Sequence, residues 1–242
     1  KMIQAHYNNK INIADYWAVG DTRTVSLSAM EATGVGESHR AQSVQFVIGD
    51  FDHDDLVAPI QGHTKAAVTL LQKDCLMDAT SASNSSNGSS DTERGYMHNS
   101  STNTCGWMNC ARRTWCNNVY FKALPTAWQS MIKTVKKQAS IGDRSAAIYT
   151  VNDKIFLAAE CEIFGVVNNL KSASGEGTQY KYYKTSANRY KNPRYKSNYV
   201  TQNYWERSPC KENTYTFCCT SNASMGSSNA NNENGLAPCM CI

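Results

Sequence analysis

The densest charged group in the sequence is an acidic cluster, in which His53 is flanked by Asp50, Asp52, Asp54 and Asp55. Carboxylates at alternate positions can converge on one cation, so the cluster is a candidate calcium or transition-metal loop. Its spacing lacks the glycine and the terminal glutamate of an EF-hand loop. The favoured interpretation is therefore a solvated loop whose aspartates make turns.

Two glutamates, Glu160 and Glu162, are a second candidate, because paired carboxylates can act as acid and base in hydrolysis. They would share one face of a strand, since alternate strand residues point the same way. No third catalytic partner accompanies them, and the sequence contains no G-x-S-x-G, H-E-x-x-H, G-x-G-x-x-G or Walker pattern. The sequence therefore predicts a protein that is not an enzyme, with no catalytic residue and no cofactor.

The ten cysteines are concentrated towards the C-terminal end. Five of them follow residue 209, namely Cys210, Cys218, Cys219, Cys239 and Cys241. A chain of 242 residues can fold without disulfides, and zinc sites prefer C-x2-C pairs, which these cysteines do not form. Free thiols without a metal are the favoured prediction, and a structural metal site is the less favoured alternative.

Composition indicates a globular protein, with 41% hydrophobic and 18% charged residues and a net charge of +4. Lysines and arginines cluster at residues 133–144 and 181–196, and tyrosines interleave with the second cluster. Such a pattern could contact a phosphate backbone, but a solvated strand with aromatic packing is the favoured interpretation, so we expect no nucleic-acid partner. No run of 18 apolar residues occurs, which predicts no membrane insertion.

Period-two alternation predicts that most of the first third of the chain forms strands. Residues 1–14 are predicted to be a lead-in strand or the end of a linker, followed by two strands around a turn at Gly20 and Asp21, with Tyr16 and Trp17 in the first. The next predicted strand points Val44, Phe46 and Ile48 inward and ends at Gly49. A further strand is predicted at 66–76.

Residues 78–104 are rich in serine and asparagine and nearly devoid of aliphatic side chains, which predicts a long flexible surface insertion. Two helices follow in the prediction. The first carries Ala111, Trp115 and Val119 at helical spacing and ends at Pro125. Thr126 caps the second, whose apolar face consists of Trp128, Met131, Ile132 and Val135. Two helices in an otherwise strand-rich chain favour an α+β fold.

The segment 196–242 combines small polar residues with hydrophobic residues, glycines and prolines at intervals. A disordered tail lacks such spaced tryptophan and phenylalanine, and an ordinary core strand lacks so many asparagines. The pattern predicts a rigid frame that carries an adjustable surface.

Several motifs together resemble a known family: ADYWAVGDT, FVIGDFDHDDL, DKIFLAAECEIFG, GEGTQY, YWERSP and GLAPCMCI, in this order. The chain resembles a domain of unknown function of gut bacteria, their phages and prophages, which includes variable proteins of diversity-generating retroelements. The resemblance extends from about residue 14 to residue 242. It implies one domain at residues 15–242 with a C-type lectin fold, in which two helices accompany a mixed, mostly antiparallel sheet that displays ligand-contacting residues.

The resemblance also implies a function. In such retroelements an error-prone reverse transcriptase changes adenines in a template, so that AAY codons yield many residue types and never a stop. The chain would then be a ligand-binding display protein, diversified over 196–242, that recognises a macromolecular target such as a protein or cell-surface receptor. Its location would be a phage virion, at the tail or as decoration, or a bacterial cell surface.

Matching positions to motifs separates frame from variable positions. The implied frame is Trp205, Arg207, Ser208, Pro209, Phe217, Gly226, Ala230, Gly235 and Pro238. The implied variable, ligand-facing positions are Tyr199, Asn203, Tyr204, Cys210, Asn213, Tyr215, Cys219, Ser221, Asn222, Ser224, Ser227, Ser228, Asn229 and Asn231.

Two alternatives on the same fold remain open. One is an enzyme of the formylglycine-generating type, which would need a copper-binding thiol pair such as Cys218 and Cys239. The other is a lectin that binds sugar through calcium at Asp50 to Asp55, although the E-P-N or Q-P-D motif of such lectins is missing.

Overall fold

Short strands make up most of the regular structure in the computed structural model, which describes residues 1–31, 33, 38–76, 95–167, 173–191, 203–232 and 234–242. The strands are β1 (Thr22–Leu27), β2 (Gln42–Phe51), β3 (Asp55–Ile60), β4 (His63–Lys65), β5 (Val68–Gln72), β6 (Val135–Ser140), β7 (Ile148–Asp153), β8 (Ile155–Phe156), β9 (Tyr204–Pro209), β10 (Thr216–Ser221), β11 (Ser224–Asn229) and β12 (Cys239–Cys241). The helices are α1 (Met2–Tyr7), α2 (Ala111–Trp115), α3 (Phe121–Ala123), α4 (Thr126–Gln129) and α5 (Glu160–Phe164).

A five-stranded antiparallel sheet with the order β1-β2-β5-β12-β8 forms the centre of the fold. All five residues of β5 are buried, which agrees with the apolar run predicted at 66–76. The C-terminal strand β12 lies between β5 and β8, so residues far apart in sequence complete one sheet.

Gly49 does not end β2 as predicted, because the strand continues to Phe51. The register against β5 shifts between Ile48 and Asp50, which marks a β-bulge. A Cβ atom at Gly49 would lie 2.6 Å from a side-chain carbon of Leu71, so glycine permits the close approach of β5 at this bulge. The predicted inward alternation of Val44, Phe46 and Ile48 is confirmed, since all three are buried.

Two smaller sheets complete the fold. One has the order β4-β3-β6-β7, and the other has the order β11-β10-β9 near the C-terminal end. Their pairs are antiparallel. Buried side chains from all three sheets join one hydrophobic cluster, which includes Leu71, Val135 and Phe217.

The helical region differs from the prediction. A π-helical turn at Cys116–Tyr120 joins α2 to α3, so residues 111–123 form one continuous helical segment that ends before Pro125 as predicted. The predicted second helix is a single turn, α4. Val135 already belongs to β6, because its backbone pairs with Asp153 of β7.

The N-terminal prediction is also corrected. Residues 1–14 contain α1 and a 3₁₀ turn that begins at Ile13, and the predicted strand at Tyr16 and Trp17 is absent from the described structure. Tyr7 fixes this region to the core, because its hydroxyl donates to the carbonyl of Ile242 and accepts from the amide of Ala67. The predicted turn is present, and Gly20 has a φ of 102°.

Glu160 and Glu162 lie on α5 and not on a strand. The helix begins there because the carboxylate of Glu162 accepts a hydrogen bond from the amide of Ala159, and it ends at Gly165 with a φ of 77°. The predicted shared strand face of the two glutamates is therefore wrong.

The structure describes only part of the serine-rich insertion at 78–104 and only part of the Lys/Tyr segment at 181–196. Residues 78–94 lie outside the described residues, whereas the part from residue 95 packs on the core through Met97 and Asn103. The first half of the Lys/Tyr segment forms 3₁₀ turns at Lys181–Lys184 and Ser186–Arg189, so the strand interpretation is wrong there.

The described structure is thus an α+β fold with few helices and mostly antiparallel sheets, as the sequence predicts. Among the described residues, no helix has the length and apolar character needed to cross a membrane.

Candidate functional site

The implied variable positions that the structure describes lie in or beside the β9-β10-β11 sheet. β10 and β11 form a hairpin, in which Thr216 pairs with Asn229 and Ser221 pairs with Ser224. The two turn residues, Asn222 and Ala223, have φ values of 48° and 58°. Two left-handed residues match the twist of a two-residue hairpin turn, which explains a tight tip at this point.

The three strands of this sheet differ in their exposure to solvent. β9 is buried along its whole length and β10 up to Thr220, whereas every residue of β11 is at least partly exposed. The candidate positions with exposed side chains are Asn203, Tyr215, Asn222, Ser224, Ser227 and Asn231, and the half-buried ones are Asn213, Ser221, Ser228 and Asn229. Tyr199 lies outside the described residues.

Three candidate positions do not face solvent. Tyr204, Cys210 and Cys219 are each at most 3% exposed. The Tyr204 hydroxyl donates to the carbonyl of Arg189 at 3.0 Å, and the Cys210 sulfur lies beside that of Cys218. These side chains belong to the interior because β9 and β10 are covered on both faces. The polar residues around them in the sequence do not indicate this burial.

Two asparagines hold the β9-β10 connection. The side chain of Asn213 accepts hydrogen bonds from the amides of Tyr215 and Thr216 at 2.9 and 2.8 Å. Buried Asn103 donates to the carbonyls of Cys210 and Thr216 at 2.8 Å and of Asn213 at 3.0 Å. Asn213 therefore stabilises its own turn, and Asn103 is a buried support of this connection that sequence reasoning missed within the predicted insertion.

The implied frame positions lie inside the protein. Except for half-buried Gly226, all are buried, including Trp205, whose indole N–H donates to the carbonyl of Gly95 at 2.6 Å. A Cβ atom at Gly226 would lie 3.0 Å from the carbonyl oxygen of Cys219 on the paired strand. Glycine is thus the residue that fits this close strand contact.

Arg207 connects β9 to the rest of the protein. Its guanidinium is fully buried and binds Glu162 through two hydrogen bonds, of 2.5 Å from Nη1 to Oε2 and 2.9 Å from Nη2 to Oε1. It also donates to the carbonyls of Leu157, Gln138 and Glu176. Such forked geometry is a property of arginine and not of lysine.

Lys137 of β6 extends this ionic network. Its ammonium group donates to Asp54 at 2.5 Å, to Glu162 at 2.6 Å and to the hydroxyl of Tyr180 at 3.0 Å. Asp54 also accepts a hydrogen bond of 2.5 Å from Thr69 of β5. The network therefore joins strands of all three sheets to α5.

The pKa values in this network reflect a balance of burial and ion pairing. Burial alone would raise the pKa of Asp54 and of Glu162. Lys137 is the main cause that instead lowers the pKa of Asp54, and Arg207 together with Lys137 lowers that of Glu162. Burial would likewise lower the pKa of Lys137, and the two carboxylates raise it instead. Asp54, Glu162 and Lys137 therefore remain charged near neutral pH, as expected for a structural ionic core.

Glu176 differs, because burial raises its pKa to about 7 despite the opposing charge of Arg207. Its carboxylate accepts hydrogen bonds from the amide of Ser140 at 2.8 Å and from the hydroxyl of Ser208. It is the one group of this network that changes its charge near neutral pH.

Residues 66–242, more than half of the sequence, match a family described as a domain of unknown function, DUF6273. The chain belongs to the DUF6273 family. No curated protein and no solved structure matches it. The matched region contains the ionic network except Asp54, and it contains all the implied variable positions, from Tyr199 to Asn231. Strands β1 and β2 precede the match, yet they complete the central sheet of this DUF6273 protein.

The acidic cluster of this DUF6273 chain is divided between the surface, where Asp52 and Asp55 are exposed as the solvated-loop prediction has it, and the interior, where Asp50 and Asp54 are buried. Asp50 is buried and pairs with Lys181 at 2.9 Å, and Asp55 pairs with Lys65 at 2.8 Å. Asp54 belongs to the ionic network, and Asp52 faces His6 at 3.5 Å. Since each carboxylate has its own cationic or histidine partner, the four do not converge on one point.

Metal-ligating groups approach one another at two places in the described DUF6273 structure. The first contains His6, Asp52 and His63. His6 Nδ1 accepts a hydrogen bond from the amide of Ile13 at 3.4 Å, so a neutral ring carries its proton on Nε2, which faces Asp52. A protonated nitrogen cannot ligate a metal, and this tautomer therefore disfavours a metal site there.

The second place contains Glu160, Glu206 and Cys218, and all three are buried. The Cys218 sulfur lies 3.4 Å from that of Cys210, whereas Cys239 is in the central sheet. The thiol that accompanies Cys218 is thus Cys210 and not the Cys239 named in the copper-enzyme alternative. None of the ten cysteines forms a disulfide, and nine of them are buried.

Proposed function

We propose that this DUF6273 chain is a binding protein that presents an adjustable polar surface, on its β10-β11 hairpin, to a macromolecular ligand such as a protein or a cell-surface receptor. The observation that supports it most is the contrast between the buried strands β9 and β10 and the exposed strand β11. Serine and asparagine side chains on β11 offer adaptable hydrogen bonds, and Tyr215, 46% exposed, offers contact area.

The buried frame residues also support this proposal. Arg207 and Asn103 hold the backbone of β9 and of the β9-β10 connection through groups remote from the hairpin tip. Exposed side chains on β11, outside the left-handed turn, therefore contribute little to folding energy, and their replacement leaves the scaffold intact.

The finer proposal adds three features implied by the family resemblance. The scaffold is a C-type lectin fold, the 3′ end of the gene is diversified by a retroelement, and the protein acts on a phage virion or a bacterial surface. Sibling alleles are informative here: we expect substitutions concentrated at exposed hairpin positions, and an even spread over residues 1–180 contradicts diversification.

A pair of libraries tests the binding function. The first randomises Ser224 and Ser227 on β11 and Asn231 just after it, and the control library randomises Lys136, Thr150 and Asn152 on β6 and β7, which are also exposed. We expect most hairpin variants to melt within about 3 °C of the parent, because exposed substitutions change stability by about 0.5 kcal/mol or less.

Selection against several unrelated proteins then compares the two libraries. We expect the hairpin library to yield binders more often than the control, with contacts that also depend on Tyr215. Equal yields from both libraries, or widespread unfolding of hairpin variants, contradict the proposal.

A further inference from the structure

Two carboxylates and a thiol meet in the interior where α5, β9 and β10 adjoin. One ligand atom from each of Glu160, Glu206 and Cys218 lies within 4.8 Å of the others. The Cys210 sulfur lies 3.4 Å from the Cys218 sulfur, so a fourth donor adjoins the group. Three side chains that carry negative charge when deprotonated thus share one buried space, and a fourth, Cys210, borders it on the Cys218 side.

The contacts of Glu206 indicate that this space needs positive charge. Thr220 donates to Oε1 at 2.9 Å, but Oε2 is buried without a hydrogen-bond partner among the described residues. Lys137 and Arg207 are engaged by Asp54, Glu162 and backbone carbonyls. A proton or a cation must therefore compensate the unpartnered oxygen of Glu206.

We propose that Glu160, Glu206, Cys210 and Cys218 bind one zinc ion. Calcium and magnesium take oxygen ligands only, whereas zinc accepts both carboxylate oxygen and thiolate sulfur. Donors of a tetrahedral zinc site lie about 3.6 Å apart, which is close to the sulfur separation found here. Full burial of the ligands corresponds to a closed structural site and not to a catalytic site with an open position.

This site is independent of ligand binding at the hairpin. It joins α5 to both buried strands of the C-terminal sheet, and it makes Cys210 and Cys218 fixed positions of the frame. The sequence did not indicate this zinc site, because its ligands come from three separate segments and include no C-x2-C pair.

Metal content of the full-length protein tests the proposal. The protein is produced with added zinc chloride, purified under reducing conditions without chelator, and analysed for zinc by mass spectrometry. We expect about one zinc ion per wild-type chain and at least a tenfold loss in Cys218→Ser and in Glu206→Gln. The control variant Cys105→Ser, which removes a half-buried thiol outside the group, should retain the metal.

Cobalt chloride provides a second measurement that does not depend on the folding of any variant. Titration of metal-depleted wild-type protein should produce a thiolate-to-cobalt charge-transfer band that zinc chloride abolishes. Folded wild-type protein without zinc and without this band overturns the proposal and leaves a carboxyl pair that shares a proton. A Cys210–Cys218 disulfide in the reduced preparation, or equal zinc in all variants, overturns it as well.

Discussion

Arg207 illustrates how much of the molecule depends on one side chain. Its forked hydrogen bonds to Glu162 are fully buried, whereas the ion pair between Lys65 and Asp55 is exposed to solvent. Removing one partner of a buried pair leaves an uncompensated charge, but an exposed pair contributes little.

The substitution Arg207→Met should therefore destabilise the protein by about 3 to 5 kcal/mol, and Arg207→Lys should also destabilise it, because one ammonium group cannot replace the fork. The control Lys65→Met should cost about 1 kcal/mol or less. Urea unfolding monitored by circular dichroism measures both values. Similar losses at the two positions would contradict a central role for Arg207.

Glu176 makes stability depend on pH. Its pKa is 4.5 in an ordinary environment and about 7 in the folded protein, so the folded state binds this proton more tightly. The contribution of Glu176 to stability is therefore present below about pH 4.5 and is lost as the pH rises to about 7, by up to about 3 kcal/mol.

Glu176→Gln removes this titration and keeps a donor and an acceptor for Ser208 and Ser140. We expect the variant to match the wild type near pH 5 and to gain stability relative to it towards pH 8. Denaturant unfolding of both proteins at several pH values provides the comparison. A constant difference between them across this range would show that Glu176 does not titrate there.

At the scale of elements, the hairpin depends on an anchor outside it. The side-chain NH2 of Asn103 is shared among three carbonyls of the β9-β10 connection, and those of Cys210 and Thr216 are buried. Asn103→Ala should cost about 1 to 3 kcal/mol, since the buried Cys210 carbonyl loses this donor, whereas the Thr216 carbonyl keeps the amide of Cys210. Hydrogen exchange should accelerate over residues 210–216. Asn109→Ala, at an exposed site, is the control, and equal effects of the two changes would argue against the anchor.

Period-two patterns predicted strands such as β2 and β5, because alternation and apolar runs reflect burial directly. The family resemblance, and not periodicity, implied Trp205 and Phe217 as frame positions, and both are buried. Sequence reasoning missed Asn103 and the group around Glu206, since these depend on contacts between segments distant in sequence. It also placed Cys219 at the surface, because local polar composition does not show that a neighbouring element covers a strand.

At the scale of the whole molecule, the ionic network and the single hydrophobic cluster connect all three sheets. Chains of this size often unfold in steps, through separate parts that contact each other weakly. Here Lys137, Glu162 and Arg207 form one chain of contacts that runs from the central sheet to the β9-β10-β11 sheet. Opening one sheet alone would leave buried charges without partners.

We therefore expect one cooperative thermal transition for the intact protein. Calorimetry should give equal calorimetric and van't Hoff enthalpies, and circular dichroism and tryptophan fluorescence should report the same midpoint. Arg207→Met should lower this midpoint for both probes together. An early fluorescence change would mean that a part of the protein around one or more of its five tryptophans unfolds by itself. The ionic network would then not hold the three sheets together as one cooperative unit.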